Sequence, residues 1–480
     1  MPERSSRRPN QIAGLGGTWM QTMSPSHGWM TRRTLLAGIG MLPAALACRA
    51  LTTPAPQAGQ PQMTVRPAKL LWEIRSGPTY EQLVQEGLEL FKQRFPHITV
   101  EYYQKPSNWV DKILSLMAAG SGPDVFQAWD QNFWNFAARG VIVNVNDLLR
   151  DLKQSDINDF HRWQWDGFVI TNTNFRFGMP TYVNMGVLYY NKDLFKDLFR
   201  KYGQPEPKPD WNRDDYALML KNLTRKEGDR QLWGGRIPVT SWLRINPHAW
   251  AYGGTFVDPK DITKSALHTP ATQAGLQWIW DRLWVDNSLV QIPQQQGWSS
   301  FIEGLAQHHI ATAEDGMHAL QSVATQVTSE WDIAHIPRGP ARRASWGTTD
   351  GWGLWNGSKY LPEAWELVKF ITGPDFLKLQ SRIELLIPPR ASLIEDWMRV
   401  VRERFPVLEK VNLKVVPEAL SATNYLGVAE NFPCYQETIG DIINPALNEI
   451  FRDGKQKPSL FRDLREQIDR AATACGATFK

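Results

Sequence analysis

The chain has 480 residues, of which 42% are hydrophobic and 21% charged, so it can bury a large core and is too long for one ordinary domain. The formal net charge is only +4, and the basic residues are dispersed among acidic ones, which argues against nucleic acid as a partner. Tryptophan is unusually frequent, with 22 residues. Such a content indicates large packed interfaces or the recognition of flat apolar faces, for example those of sugars.

Residues 1–48 have the pattern of an export signal. Arg32 and Arg33 precede a weakly apolar run at 35–47 that is too short to span a bilayer. The arginine pair resembles the twin-arginine pattern, with a chance pair in a basic leader as the alternative. An Ala-Leu-Ala-Cys sequence ending at Cys48 resembles a bacterial lipobox, which predicts lipidation of Cys48. Ordinary cleavage near Ala47 is the other interpretation.

The next segment, residues 49–66, is rich in Pro, Gln, Ala and Thr, which predicts a flexible tether. No later segment has the length and apolar character of a membrane span. We therefore expect an exported protein at the outer face of the cytoplasmic membrane or in the periplasm, with a lipid anchor as its one contact with the membrane. Cys434 and Cys475 remain in the exported part, where a disulfide and two free thiols are both compatible with the sequence.

Strand and helix patterns alternate after the tether. This alternation predicts an α/β fold with a parallel, doubly wound sheet, in which ligands bind beyond the carboxyl ends of the strands. A Gly-Pro-Asp turn, which ends at Asp124, aims the third strand at that rim. The predicted elements are strands at 68–74, 98–103 and 123–129 and helices at 80–95 and 109–119.

Six segments occur in the order, and near the spacing, of one protein family. They resemble the extracellular solute-binding proteins of bacterial ABC importers, and in particular the carbohydrate-binding group that includes maltose-binding protein. The resemblance covers roughly residues 68–475. The segments are FKQRFPHITVEYY, AAGSGPDVFQAW, ARGVIVNVNDLL, GMPTYVNMGVLYYNKDLF, DGWGLWNGSKYLPEAWELVKFIT and LIPPRASL.

The resemblance implies two α/β lobes, each a doubly wound sheet flanked by helices, which close on a ligand about a multi-segment hinge. It also implies a monomer without a cofactor that delivers its ligand to transmembrane permease subunits. By this pattern the first lobe comprises residues 67–182 and 351–395, and the second lobe comprises 185–348 and 398–480. The crossing segments are expected at 178–184, at 348–352 and after Pro389.

Catalytic signatures for a nucleophile elbow, a zinc protease helix, a phosphate loop or a paired Cys-x-x-Cys are absent from the sequence. His308 and His309 precede Glu314 and Asp315, a set that could hold a metal, but a structural or solvated pair is the favoured interpretation. We therefore expect a binding protein with no metal site.

A pyranose presents hydroxyl groups at its edge and C–H groups on its faces, so its site needs hydrogen-bonding side chains and aromatic platforms. Glu314 is a further edge candidate, whereas Trp278, Trp280, Trp284 and Trp365 lie in helical patterns typical of core. The predicted binding residues are Trp72, Arg75, Trp129, Asp130, Tyr182, Trp242, Trp250, Asp350, Trp352 and Arg390.

Two functions follow from this reasoning. The first is a carrier that captures a carbohydrate, with a neutral oligosaccharide as the leading candidate. Arg75, Arg244 and Arg390 leave room for an acidic sugar or a phosphorylated polyol. The alternative is an exported carbohydrate-active hydrolase, because tryptophan-rich clefts with two carboxylates also describe glycosidases.

Overall fold

The structure is a computed structural model that describes residues 66–203, 205–295, 297–422, 425–477 and 479. The predicted export signal, Cys48 and residues 49–65 of the tether lie outside the described residues. Within the described part of the chain, none of the helices is long and apolar enough to cross a membrane.

The fold is built from strands and helices that alternate over most of the chain. The strands are β1 (Ala68–Ile74), β2 (Ile98–Gln104), β3 (Val125–Ala128), β4 (Met179–Pro180), β5 (Gly186–Asn191), β6 (Arg225–Glu227), β7 (Arg230–Arg236), β8 (Val257–Asp258), β9 (Asp261–Ser265), β10 (Ile310–Gly316), β11 (Trp331–Ala334), β12 (Ser345–Gly347), β13 (Gly351–Leu354) and β14 (Leu426–Val428).

The helices cover both sheets and form the C-terminal part of the chain. They are α1 (Pro78–Arg94), α2 (Trp109–Ala118), α3 (Asp130–Ala138), α4 (Gln154–Asn158), α5 (Arg162–Gly167), α6 (Lys192–Tyr202), α7 (Arg213–Leu223), α8 (Trp242–Ala251), α9 (Pro270–Trp284), α10 (Phe301–Ala306), α11 (Leu320–Gln326), α12 (Leu361–Ile371), α13 (Pro374–Glu384), α14 (Ile394–Arg404), α15 (Val415–Ser421), α16 (Asn444–Leu447), α17 (Leu460–Asp463) and α18 (Arg465–Ala474), with π-helical segments at Gln436–Ile443 and Asn448–Arg452.

Two five-stranded sheets confirm the predicted two-lobed α/β class. The first has the order β2-β1-β3-β13-β4 and the second the order β11-β5-β10-β7-β6. Both sheets are mixed, which corrects the expectation of a purely parallel sheet. In the first sheet β1, β2 and β3 are parallel, but β13 runs antiparallel to both of its neighbours because the chain returns to this sheet after forming the second one.

The turn before β3 is structural, as predicted. Gly120 has a φ of +73°, a conformation that a side chain would strain. A Cβ at Gly122 would lie 2.7 Å from Cγ of Met117. Asp124 Oδ2 accepts a hydrogen bond from the amide of Leu71 at 2.8 Å, and its Oδ1 accepts one from the Ser358 hydroxyl at 2.5 Å. This carboxylate therefore fixes the start of β3 against β1.

Three segments run side by side between the two sheets. The amide of Thr181 donates to the carbonyl of Asp350 at 3.1 Å, and the amide of Thr348 donates to the carbonyl of Asn184 at 3.0 Å. The third segment pairs through the amide of Val183 and the carbonyl of Ile387, 2.8 Å apart. It therefore meets the other two before Pro389, whereas the sequence predicted a crossing after that residue. The lobe boundaries themselves stay a prediction.

The helical tryptophans and the cysteines have defined surroundings. Trp365 is fully buried and Trp278 is 7% exposed, which confirms that both belong to the core, whereas Trp280 and Trp284 are only partly buried. Cys434 and Cys475 form a disulfide, which the sequence left open against two free thiols.

Replacing Asp124 with Ala should lower the free energy of unfolding by about 1–3 kcal/mol, because the partly buried Leu71 amide loses its acceptor. Urea denaturation checks this loss. Ser358→Ala is the control, which should cost less because the Asp124–Leu71 bond survives. Wild-type stability of Asp124→Ala would contradict a structural role.

Candidate functional site

A cavity of about 410 Å³ lies beside the crossing segments. Five stretches of chain line it: the start of α3, two of the crossing segments, the start of α8 and the C-terminal segment after β14. The residues at the start of α3 follow the end of β3, and Thr348 and Asp350 precede the start of β13. The lining residues are Trp129, Asp130, Gln131, Tyr182, Asn184, Thr240, Ser241, Trp242, Leu243, Thr348, Asp350, Ala429, Asn431, Tyr435 and Asn444.

Five of the predicted binding residues meet in this cavity: Trp129, Asp130, Tyr182, Trp242 and Asp350. The ring of Trp129 is held edge-on against Trp109, with ring centroids 5.2 Å apart. Trp242 belongs to α8, not to the loop expected from the sequence, and its Nε1–H donates to the carbonyl of Glu430 at 2.6 Å. Aromatic rings from distant parts of the chain therefore share one cavity.

Trp72 and Trp352 do not reach the cavity, which corrects the predicted rim position. Both are fully buried, and their rings pack edge to face with centroids 5.3 Å apart. Side chains alternate between the two faces of a strand, and these two belong to the buried cluster that also contains Phe376 of α13. Their role in the structure is core packing.

Trp250 and Arg390 also lie outside the cavity lining. The Trp250 Nε1–H donates to a carboxylate oxygen of Glu430 at 2.5 Å, and its ring packs over Gly427. The Arg390 guanidinium donates to the carbonyl of Thr372 at 2.8 Å and lies 3.4 Å from a carboxylate oxygen of Asp159. Both polar groups are satisfied inside the protein, which explains why neither is available at the cavity.

Arg75 lies directly behind the cavity wall. Its guanidinium forms an ion pair with Glu384 and lies over the ring of Tyr182, 5.5 Å from the ring centroid. Arg75 therefore supports a lining residue without lining the cavity itself. Glu314, the further edge candidate, pairs with Arg213 at 3.8 Å and with His248 at 3.4 Å in a different buried cluster.

Asp130 is the most perturbed acid of the cavity. Burial, followed by the negative charge of Asp350, raises its pKa from the usual 3.8 to about 7. Hydrogen bonds from the backbone of Gln131 and the side chain of Asn431 oppose this shift of the pKa. The Gln131 side-chain amide has one orientation that satisfies both of its neighbours. In this orientation its Nε2 donates to Asp130 Oδ1 at 2.6 Å, and its Oε1 accepts a hydrogen bond from Trp129 Nε1.

Asp350 is held by the hydroxyl groups of two other lining residues. Burial raises its pKa, while hydrogen bonds from Thr348 and Tyr182 and the positive charges of Arg75 and Lys105 lower it. Thr348 is two residues away in the chain and Tyr182 comes from the neighbouring crossing segment. The site and the crossing segments therefore share the same side chains.

Sequence reasoning missed the C-terminal contribution to the cavity, which comprises Ala429, Asn431, Tyr435 and Asn444. Asn431 is 3% exposed, and its Oδ1 is buried without a hydrogen-bond partner. These residues lie about 300 positions from Asp130 along the chain, and no local pattern marks them as binding residues. The turn-rich sequence Asn-Phe-Pro at 431–433 was the one available signal.

In the described part of the chain, one cluster of three side chains has the residue types and spacing of a metal site. It comprises Cys434, Glu437 and Cys475. The two sulfurs are bonded to each other, so they offer no thiolate to an ion. Within the described residues, His308 and His309 do not form such a group with Glu314.

A model of the bacterial extracellular solute-binding protein family matches residues 72–376. The chain belongs to this family. Among similar proteins, one from Brucella abortus designated a binding protein is 25% identical over 447 residues, 91% of this chain and 97% of that protein. A lipoprotein from Streptomyces antibioticus is 24% identical over 281 residues, 58% of this chain and 59% of that protein.

The fold of this solute-binding protein is also similar to a solved structure. An ABC substrate-binding protein from Listeria monocytogenes, in complex with cycloalternan, has a TM-score of 0.69 and 19% sequence identity. The similarity covers 86% of this chain and 100% of the Listeria chain. At this identity the comparison supports the two-lobed fold.

Replacing Asp130 with Asn should remove a pH-dependent loss of stability. Because the folded protein holds this proton up to about pH 7, whereas an unfolded aspartic acid releases it near pH 4, Asp130 lowers stability as the pH rises through this window. The charge of Asp350 acts on Asp130, and burial followed by the charge of Asp130 raises the pKa of the neighbouring Tyr435. The stability advantage of Asp130→Asn over the ligand-free wild type should grow from about pH 4 to pH 8, measured by urea denaturation.

The exposed Asp111 provides the matched control. Asp111→Asn makes the same change of side chain at a position outside the cavity lining and is measured beside Asp130→Asn at each pH. A constant difference between wild type and Asp130→Asn across the range would show that Asp130 is ionised in the folded protein throughout.

Proposed function

We propose that this protein is the substrate-binding component of an ABC importer, which captures a carbohydrate in the cavity and delivers it to transmembrane permease subunits. The observation that carries this proposal is the cavity itself. It combines the rings of Trp129 and Trp242 with the carboxylates of Asp130 and Asp350, and the lining residues come from both sides of the crossing segments. Aromatic faces and hydrogen-bonding edges are the two features that a sugar requires.

The position of the cavity supports capture by closure. Tyr182, Asn184, Thr348 and Asp350 all lie in the crossing segments, so a ligand in the cavity touches the part of the chain that a hinge motion would bend. A ligand favours a closed state only through additional contacts made in that state. Lining residues on opposite sides, Trp129 and Trp242, supply such contacts.

The alternative of a hydrolase rests on two carboxylates in one cavity, since glycosidases use such a pair. Two observations favour a binder instead. Asp350 accepts hydrogen bonds from Thr348 and Tyr182, which restrains it as a nucleophile. The family to which the chain belongs is described as solute-binding.

Calorimetry with a panel of oligosaccharides tests the proposal. We expect one ligand per chain, no hydrolysis products by chromatography, and a loss of about 1–3 kcal/mol of affinity in both Trp129→Ala and Trp242→Ala, the scale of one large apolar side chain. Trp280→Ala, which alters a partly buried tryptophan outside the cavity lining, is the control and should bind as wild type. Turnover of a bound sugar would support the hydrolase, and a failure of all sugars to bind would contradict both functions.

We further propose export through the Arg32–Arg33 signal and retention by lipid at Cys48, at the outer face of the cytoplasmic membrane. The support is the charge pair, the short apolar run and the small residues before Cys48, together with the lipoprotein relative from Streptomyces antibioticus. Export of a monomer with a lipid anchor agrees with capture of a solute outside the cell.

Replacing Arg32 and Arg33 with Lys should block export, because the twin-arginine route reads the arginine pair. Cys48→Ala should be exported but recovered in the soluble fraction, because it has no thiol to acylate. Fractionation followed by immunoblotting measures both results. Cys48→Ala that stays with the membrane would rule out the anchor.

A further inference from the structure

The two carboxylates of the cavity already engage several of its hydrogen-bond donors. The Thr348 and Tyr182 hydroxyl groups donate to Asp350. The Gln131 amide donates to Asp130. These donors are therefore already used within the lining, and the carboxylate of Asp350, which accepts two of them, keeps lone pairs that a donor on the ligand can fill.

A second observation, which does not depend on the carboxylates, also indicates that the ligand supplies a hydrogen-bond donor. The amide nitrogen of Asn431 donates to the carbonyl of Ala429 at 3.1 Å and contributes a hydrogen bond to Asp130. Its Oδ1 is buried without a partner, in a residue that is 3% exposed and lines the cavity. An unpaired buried carbonyl is costly, and a donor group on the ligand would satisfy it.

The charged side chains that line the cavity are all acidic. None of the residues found to line the cavity within the described chain is Lys, Arg or His. The cations behind the wall are Arg75, which is paired with Glu384, and Lys105, which lies 3.9 Å from Glu73. Both cations act on Asp350, whereas the groups of the described chain that shift the pKa of Asp130 include no cation.

The three arginines that the sequence offered for an anionic ligand are all engaged elsewhere. Arg75 and Arg390 pair with Glu384 and Asp159. Arg244 lies 3.4 Å from Asp315, with its guanidinium 3.5 Å from the ring centroid of Trp346. An acidic sugar or a phosphorylated polyol would therefore add negative charge to a buried acidic site without a cation at the lining to balance it.

We propose that the cavity selects an amino sugar, a carbohydrate with a protonated amine, whose ammonium group is bound by Asp130, Asp350 and Asn431. This inference rests on the proposed carbohydrate-binding function and specifies its substrate class. An ammonium group has three donors and no acceptor, which matches three acceptors in one cavity. It also supplies the positive charge that the desolvated carboxylate of Asp130 lacks. The raised pKa of Asp130, about 7, is consistent with this missing countercharge.

Calorimetry near pH 7 with glucose oligomers, the matching glucosamine oligomers, their N-acetylated forms and galacturonate oligomers tests the inference. Glucosamine oligomers should bind at least about tenfold more tightly than the glucose and N-acetylglucosamine oligomers of the same linkage, since a buried charge pair is worth more than this. Galacturonate oligomers should bind most weakly.

Asp130→Asn keeps the shape of the side chain and removes its charge. It should reduce the preference for glucosamine over glucose oligomers by about tenfold or more. Asp111→Asn, at an exposed position, should leave this preference as in wild type. Circular dichroism confirms that both variants are folded.

The outcomes separate the two proposals. Equal affinity for amine-bearing and neutral oligomers, tighter binding of the uronates, or an unchanged preference in Asp130→Asn would overturn the amino-sugar inference and leave the carrier function standing. Failure of every oligomer to bind would count against the carrier function itself.

Discussion

The two sheets are connected where three chain segments lie side by side, and the need to satisfy their backbone polar groups constrains the whole molecule. Gln164 meets part of this need. Its buried amide donates to the carbonyl of Tyr182 at 2.7 Å and to the carbonyl of Thr348 at 3.0 Å. A buried carbonyl without a partner costs free energy, so this one side chain holds two crossing segments in register.

The same segments that connect the sheets also form the wall of the cavity. Tyr182 and Asp350 follow β4 and precede β13, and the hydroxyl of Tyr182 is a hydrogen-bond donor to the Asp350 carboxylate. A ligand that contacts either residue acts directly on the backbone that joins the two sheets. In the proposed carrier, these short contacts would link ligand binding to closure without a longer pathway through the protein.

The electrostatics of the cavity follow from burial more than from net charge. The chain carries only +4 overall, yet the buried side chains of Asp130 and Asp350 are brought together in one cavity. Desolvation is the largest cause of the raised pKa of both groups. Such a site is costly when empty, and a ligand with donors and positive charge reduces that cost. Overall composition could not have indicated this local excess of negative charge.

The sequence by itself determined the local elements and the family. The apolar run predicted β1 with the bounds that the structure shows, Ala68–Ile74. The Gly-Pro-Asp turn predicted a structural role for Asp124. Both predictions depend on residues that are close together in the chain. Tertiary structure decided which tryptophans face the cavity. Trp129 lines it, whereas Trp352 is buried against Trp72, since the face on which a strand residue lies depends on the layer that packs against it. It also brought Asn431 beside Asp130, a contact across about 300 residues that no local pattern encodes.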